Sequence, residues 1–354
     1  MKTHVIVPIF IPHYGCPYDC IFCDQRAITA RDSAPDEAET RRRIEEYLST
    51  AESNPNITHR EIAFFGGSFT GIPGEEQEKY LCVAKEYKDS GRVGYIRLST
   101  RPDYIDGEIL RRLRRYGVDM VELGAQSFDD EVLRLSRRGH DSRKIEESAQ
   151  MIRDAGIGLG IQLMVGLPGD SRGKCMESVR RTIALRPSAV RIYPTVVLRE
   201  TGLHSMYLRG EYEPLKEEQA VDIVKDMLRA FAKAEIDVIR VGLKSSDLIG
   251  GQGGAVAAGS YHPAFRQLAE AAWAREELED ELNRQLKEIP KNDRRGLRVT
   301  FSAAPGSFSN MVGLRRSNRI YFSERYPELK LLFAVDSSLS RNNYRVRIEP
   351  ETAL

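Results

Sequence analysis

Short apolar, β-rich runs alternate along the middle of this chain with longer stretches whose apolar residues recur at helical spacing among charges. The short runs predict strands at Val5–Pro12, Glu61–Phe65, Tyr95–Ser99, Met120–Leu123, Gly158–Val165 and Ala189–Tyr193. The longer stretches predict helices at Asp36–Ser49, Glu75–Ser90, Asp106–Tyr116, Asp129–Arg137, Ser142–Ala155 and Gly173–Leu185. Asp129 and Ser142 are the caps expected at two helix starts, and Gly91, Gly117 and Gly156 stand where helices should stop. Repeated strand–helix alternation argues for a parallel sheet with helices outside, because parallel neighbours need right-handed crossovers. The expected fold class is α/β, a partial (β/α) barrel with a parallel sheet, plus a small C-terminal α+β region.

Beyond the sixth run a helix is expected over Leu215–Ala234 and a strand at Asp237–Val241. Ile249–Gly259 (IGGQGGAVAAG) reads as a loop whose composition would also suit a linker. A helical segment carrying the only tryptophan, Trp273, follows, with strands near Leu297–Ser302 and Tyr344–Ile348. A chain of 354 residues exceeds what one core comfortably fills, so a barrel over 1–250 and an α+β domain over 251–354 are expected.

Charge changes this picture little. The 53 basic and 52 acidic residues leave a formal charge of +1, too weak a field to make DNA or an anionic membrane an obligatory partner. The basic runs RRRIEEYL (41–48) and RRLRRYG (111–117) fall on helices and read as solvated faces. The early apolar run Val5–Ile11 is too short to cross a bilayer and lacks the features of a signal peptide. A cytoplasmic protein with no membrane partner is expected.

Candidate chemistry begins at IPHYGCPYDCIFCDQ (11–25), where Cys16, Cys20 and Cys23 form C-x3-C-x2-C. Three of five cysteines in eight residues argue for metal or redox chemistry over a disulfide framework. Structural zinc would need a fourth ligand, for which His13 is nearby. A [4Fe–4S] cluster on three cysteines would leave one iron open, as a catalytic centre requires, and the ligand chemistry favours it. Cys82 and Cys175 stand alone in helical patterns and read as buried structural thiols. Polar and glycine residues cluster where predicted strands end: Gly66-Gly67-Ser68, Ser99-Thr100-Arg101, Gln126-Ser127, Gly166 and Gly169. Barrel chemistry sits at those ends. Arg101 offers paired donors for a carboxylate or for a structural ion pair. Glu122 lies inside an apolar strand, where an unpaired carboxylate is costly, so it needs a partner.

The cysteine motif, with Phe22 before its last member, resembles the signature of radical S-adenosylmethionine (SAM) enzymes. Gly66-Gly67-Ser68-Phe69 resembles that superfamily's glycine-rich motif, and Gln162–Gly169 (QLMVGLPG) resembles its later glycine segment, with Gln162 in place of the first glycine. STRPD (99–103), VELGAQS (121–127), RRGH (137–140), GLPG (166–169) and RIYPTVVLRETGL (191–203) look like one branch of it. That branch includes the radical domain of the elongator catalytic subunit and, more distantly, oxygen-independent coproporphyrinogen oxidase. The resemblance covers about residues 4–245, without the acetyltransferase domain that elongator-type subunits usually carry.

The resemblance implies a [4Fe–4S] cluster on Cys16, Cys20 and Cys23, with SAM bound beside Phe22, Gly66, Gly67, Ser68, Arg101, Glu122, Gln126, Gln162 and Gly166. Arg138 and His140 are weaker candidates. Reductive cleavage of SAM and hydrogen abstraction from tRNA or a small molecule would follow, driven by an electron donor such as flavodoxin or ferredoxin. No residue is assigned as catalytic. The alternative is a non-catalytic iron–sulfur protein with an RNA-associated role. Near the C-terminus, MVGLRRSNRIYFSERYP (311–327) is similar to the helix–loop–helix of a KH-type RNA-binding module, with only Gly313 of its glycine pair. Arg315, Arg316 and Asn318 would face phosphates in that reading; a small cap completing the barrel is the other.

Overall fold

Seven parallel strands form one sheet in the computed structural model, which describes residues 3–11, 16, 20–24, 33–243 and 254–350. In chain order they are β1 (His4–Ile11), β2 (His59–Gly66), β3 (Tyr95–Thr100), β4 (Met120–Gln126), β5 (Gly158–Val165) and β6 (Ala189–Pro194). A short β7 (Val196–Leu198) leaves this sheet, and β8 (Asp237–Val241) completes it beside β6. Spatial order follows sequence order, and every pairing is parallel. The sheet curls into a half-barrel, the expected partial (β/α) barrel.

The crossovers are helices: α1 (Glu37–Glu52), α2 (Gly74–Asp89), α3 (Gly107–Arg115), α4 (Asp130–Leu135), α5 (Ser142–Asp154) and α6 (Arg172–Ala184). Asp36, Asp106, Asp129, Asp141 and Ser171 cap five of them, each side chain accepting a backbone N–H three residues on. Such caps contribute about 1 kcal/mol each. Asp141, not Ser142, caps α5, because its carboxylate accepts the Lys144 N–H at 2.9 Å. Gly91, Gly117 and Gly156 are left-handed just past their helices, as expected. The helix over 129–137 stops at Leu135, and Arg137 takes a left-handed φ of 53° that turns the chain. β1 buries alternate residues, Val5, Val7, Ile9 and Ile11, which fixes its register against β2. The expected end of that strand, Pro12, lies outside the described residues, as does His13.

Between β7 and β8 lie α7 (Gly202–Leu208) and α8 (Glu217–Lys233). The expected loop at Ile249–Gly259 is corrected at its end: β9 (Val256–Gly259) pairs antiparallel with β7, Val196 opposite Gly259 and Val197 opposite Ala258. Its glycine- and alanine-rich sequence hides a strand whose partner lies about sixty residues earlier in the chain.

The chain divides into two compact units, one of residues 1–220 and 230–263, the other of 221–229 and 264–354. The second holds α9 (Phe265–Lys287), β10 (Arg298–Ala303), α10 (Phe308–Val312), α11 (Ser317–Arg325), β11 (Lys330–Val335) and β12 (Tyr344–Glu349). β10 is central, parallel to β11 and antiparallel to β12. Leu278, Leu282 and Leu286 of α9 pack with Val299, Phe301, Phe322 and Val346 to form its core. Among the described residues no helix is long and apolar enough to cross a membrane.

Candidate functional site

The cysteine segment is tied to the C-terminal ends of the barrel strands. Ile21 N–H donates to the Ser136 carbonyl at 3.4 Å, Leu203 N–H donates to the Ile21 carbonyl at 2.6 Å, and Cys23 N–H closes a turn on the Cys20 carbonyl at 3.0 Å. Ile21 is buried with Val197, Leu203 and Tyr212, and Phe22 packs on the same cluster. Ile21 and Phe22, the apolar residues between the last two cysteines, thus anchor the segment.

Two arginines meet Cys20. Arg138 Nη1 donates to its sulfur at 3.1 Å and Arg101 Nη1 at 3.6 Å. Arg138 Nη2 also donates to the Gly124 carbonyl at 2.5 Å, and Arg101 Nη2 to the Arg138 carbonyl. Asp103 takes both Arg101 Nε and Nη2, each at 2.9 Å, which fixes the plane of that guanidinium. Burial pushes the Cys16 thiol up, while the Ser68 N–H, Arg101 and Arg138 pull it down. Ser68 is itself held: its hydroxyl accepts the Arg101 N–H at 3.1 Å and bonds Thr100 Oγ1 at 2.8 Å.

Among the described residues no three Cys, His, Asp or Glu side chains close into a cage for a single ion. The donor set nevertheless fits an iron–sulfur cluster better than closed zinc: three soft sulfurs on one loop, with two guanidiniums at Cys20 to offset an anionic group. Arg138 Nε is buried without a hydrogen-bond partner, so this positive wall retains unused donor capacity.

Gly66 has φ of 110°, and a Cβ there would sit 2.7 Å from the Ile11 carbonyl oxygen, so β1 itself demands the glycine. Gly67 N–H donates to that same oxygen at 2.6 Å. Across the sheet, Gly166 N–H donates to Asp170 Oδ2 at 2.8 Å and its carbonyl accepts Tyr212 OH at 2.6 Å. Gln126 adopts a left-handed φ of 69°, and Gln162 Nε2 reaches its Oε1 at 3.5 Å. Ser127 Oγ accepts the Asp129 N–H at 3.1 Å, a local turn. Cys175 is buried and donates to Asp170 Oδ2 at 3.1 Å; burial drives its thiol well up, which makes it inert. Cys82 is exposed, which corrects its expected burial.

Glu122 has the partners its burial demanded. Arg191 Nε lies 2.7 Å from one oxygen and Arg97 Nη1 3.1 Å from the other. Arg97 also pairs with buried Glu61, and both guanidiniums lie over the Phe65 ring, at 5.7 and 4.8 Å. Two acids and two bases on β2, β3, β4 and β6 therefore balance inside the barrel, which places Glu122 in an ion-pair network. Sequence reasoning passed over Arg97 and Arg191, although a charge at the centre of YIRLST and of AVRIYP was the available signal. It also underweighted Arg138, whose contact with Cys20 depends on the turn after α4.

Comparison with known proteins agrees with this geometry. Residues 10–182 match the Radical SAM superfamily model and 187–276 the Radical_SAM C-terminal domain model. The chain is 31% identical over 224 residues to an uncharacterized protein of Methanocaldococcus jannaschii, covering 60% of this chain and 68% of that one. It is 27% identical over 259 residues to the tRNA uridine(34) acetyltransferase of Methanocaldococcus infernus, covering 62% of this chain and 48% of that one. This chain therefore spans about half the length of that relative. The solved archaeal Elp3 of the same organism, with its N-terminus deleted, superposes with a TM-score of 0.61 at 20% identity, covering 78% of this chain and 64% of that one.

Proposed function

This chain belongs to the radical SAM superfamily and is an enzyme of it, and from that premise we propose that it abstracts hydrogen from an RNA substrate. The observation that carries the reading is the meeting of Arg101 and Arg138 on Cys20, at the strand ends of a parallel half-barrel. In this reading Cys16, Cys20 and Cys23 hold a [4Fe–4S] cluster. Gly66, Gly67, Ser68, Gln126, Gln162 and Gly166 line the place of SAM, and Phe22 shields it. When bound, these groups supply a 5′-deoxyadenosyl radical at the cost of one electron from a donor such as flavodoxin or ferredoxin.

The chain's own contribution is charge and position. Arg101 and Arg138 offset negative charge beside Cys20, and the paired donation of Arg101 is spent on Asp103. Asp103 and the Gly124 carbonyl keep those guanidiniums from turning. The Glu61–Arg97–Glu122–Arg191 network gives the barrel a rigid, charge-balanced interior. Support for RNA comes from the relative named for tRNA uridine(34); acetyl transfer is not carried over.

Anaerobic reconstitution with iron and sulfide, then dithionite and SAM, tests this reading by chromatography of 5′-deoxyadenosine. Formation by the parent and loss in Cys20→Ala are expected, with stimulation by tRNA. A properly assembled cluster that yields none, with or without tRNA, would overturn the catalytic reading.

A further inference from the structure

The turn between α4 and α5, SRRGHD (136–141), faces two ways. Arg138 points inward to Cys20, while Arg137 and His140 line a hollow of about 690 Å³ on the other side, with Asp103, Asp130, Arg134, Gly139, Asp141 and Lys144. The hollow lies on the segments that follow β3 and β4, the end of the barrel where barrel chemistry occurs.

Its charges are unequally employed. Asp103 is taken by both donors of Arg101. Asp130 Oδ1 accepts the Ser142 N–H at 2.7 Å, and Asp141 Oδ1 accepts the Lys144 N–H at 2.9 Å. Asp103 is thus neutralised by Arg101, while Asp130 and Asp141 accept only backbone N–H groups and keep their charge; among the described residues no ion pair engages Arg134, Arg137 or the Lys144 ammonium. Three cations against two charged carboxylates leave the lining net positive, and the spread of the cations suits a repeating anion over a single compact one.

A second feature narrows the class. His140 Nδ1 lies 3.2 Å from the Asp141 carbonyl, an acceptor, so the proton sits on Nδ1 and leaves Nε2 as an acceptor. That Nε2 is shut off from solvent and has no hydrogen-bond partner, so a ligand completes it only by turning the ring toward the hollow that His140 lines. Burial beside Arg138 lowers the imidazole to about 4, so it stays neutral near pH 7. A neutral acceptor takes a proton donor such as a hydroxyl, and an ionised phosphate oxygen is not one. A ribonucleotide carries both the phosphate and the hydroxyl that such a lining suits.

We propose that this hollow anchors the phosphodiester backbone of an RNA strand, with Arg134, Arg137 and Lys144 on phosphate and His140 toward a ribose 2′-hydroxyl. The proposal rests on the RNA-substrate reading above and locates where the strand is held. Because one short turn carries both Arg137 and Arg138, RNA seated here lies against the turn that meets Cys20.

The test is fluorescence anisotropy of the full reconstituted protein with a short labelled RNA hairpin, titrated across potassium chloride concentrations. The triple variant Arg134→Gln, Arg137→Gln, Lys144→Gln is expected to bind at least about tenfold more weakly and to flatten the log affinity against log salt slope by about 2. Arg134→Lys with Arg137→Lys should keep most of the slope, which separates lost charge from lost fold. A DNA hairpin of the same sequence is expected to bind the parent more weakly, and His140→Ala should narrow that difference. An unchanged slope in the triple variant would overturn the site, and equal RNA and DNA binding would overturn its assignment to RNA. Deoxyadenosine formation without RNA should be the same in parent and triple variant. Its absence from the parent would sink the radical reading separately, while the salt slopes remain readable.

Discussion

Both oxygens of Glu122 face guanidiniums, Arg191 at 2.7 Å and Arg97 at 3.1 Å, in a site where its own residue is 2% exposed. Removing one member of a buried pair leaves the other charge uncompensated, so Glu122→Ala should cost about 3–5 kcal/mol in urea unfolding. A loss below about 1 kcal/mol would show that water already reaches the network. The same carboxylate explains Gly160 opposite it on β5, where a Cβ would sit 2.9 Å from Glu122 Cγ. Gly160→Ala should lower stability by about 1–3 kcal/mol through overpacking. His140 carries a pH signature. Its folded value near 4 lies below the unfolded value of about 6.5, so the stability it confers is complete above that value and lost as pH falls toward 4. The parent should therefore lose up to about 3 kcal/mol more than His140→Gln between pH 7 and pH 4, read from urea midpoints at each pH. These residues also show what the sequence reveals of a site. Cys16, Cys20 and Cys23 are contiguous and visible as a spacing, and Glu122 announces itself as a charge in an apolar strand. Arg138 meeting Cys20 depends on a turn with left-handed Arg137, which no spacing encodes.

At the scale of elements, the β5–α6 connection is organised by Asp170, which accepts Gly166 N–H and Ser171 N–H at 2.8 Å each and the Cys175 thiol at 3.1 Å. Asp170→Ala leaves the part-buried N–H of Gly166 and the buried Cys175 thiol without their acceptor and should cost about 1–3 kcal/mol. Cys175, at 3% exposure and with its thiol value raised, should resist iodoacetamide in the folded protein and react only on unfolding. Exposed Cys82 should react at once, and equal labelling of the two would show that α6 opens. The barrel elements were legible because each is long enough for its period to repeat, and β5 and β8 match their expected limits in full. β7, β9 and β11 were not read. The first two are three and four residues long and exist through each other, a pairing between distant segments. β11 shows no clean alternation, since Leu332 and Val335 remain exposed.

For the whole molecule, the division into units does not follow a single cut in the chain. Residues 221–229, the middle of α8, group with 264–354, while the segments on either side of them belong to the barrel unit. The reason is visible inside the second unit. Lys225 Nζ lies 2.5 Å from Glu276, Arg229 lies 3.3 Å from the same carboxylate, and Arg229 also stands over the Trp273 ring at 6.0 Å. Val224 and Met227 are buried in the same stretch. A fragment beginning at residue 264 therefore leaves Glu276 without either cation and exposes the side of α9 that carries Trp273. Its sheet and the Leu278–Leu282–Leu286 core would remain, but a unit of under a hundred residues has little stability to lose. A fragment of residues 215–354 restores the missing segment with its charges. It should unfold cooperatively and at higher urea than the 264–354 fragment, with tryptophan emission shifted to the blue because Trp273 is covered again. If both fragments unfold at the same midpoint with the same emission, the α8 segment contributes nothing to the second unit and the boundary belongs at residue 264.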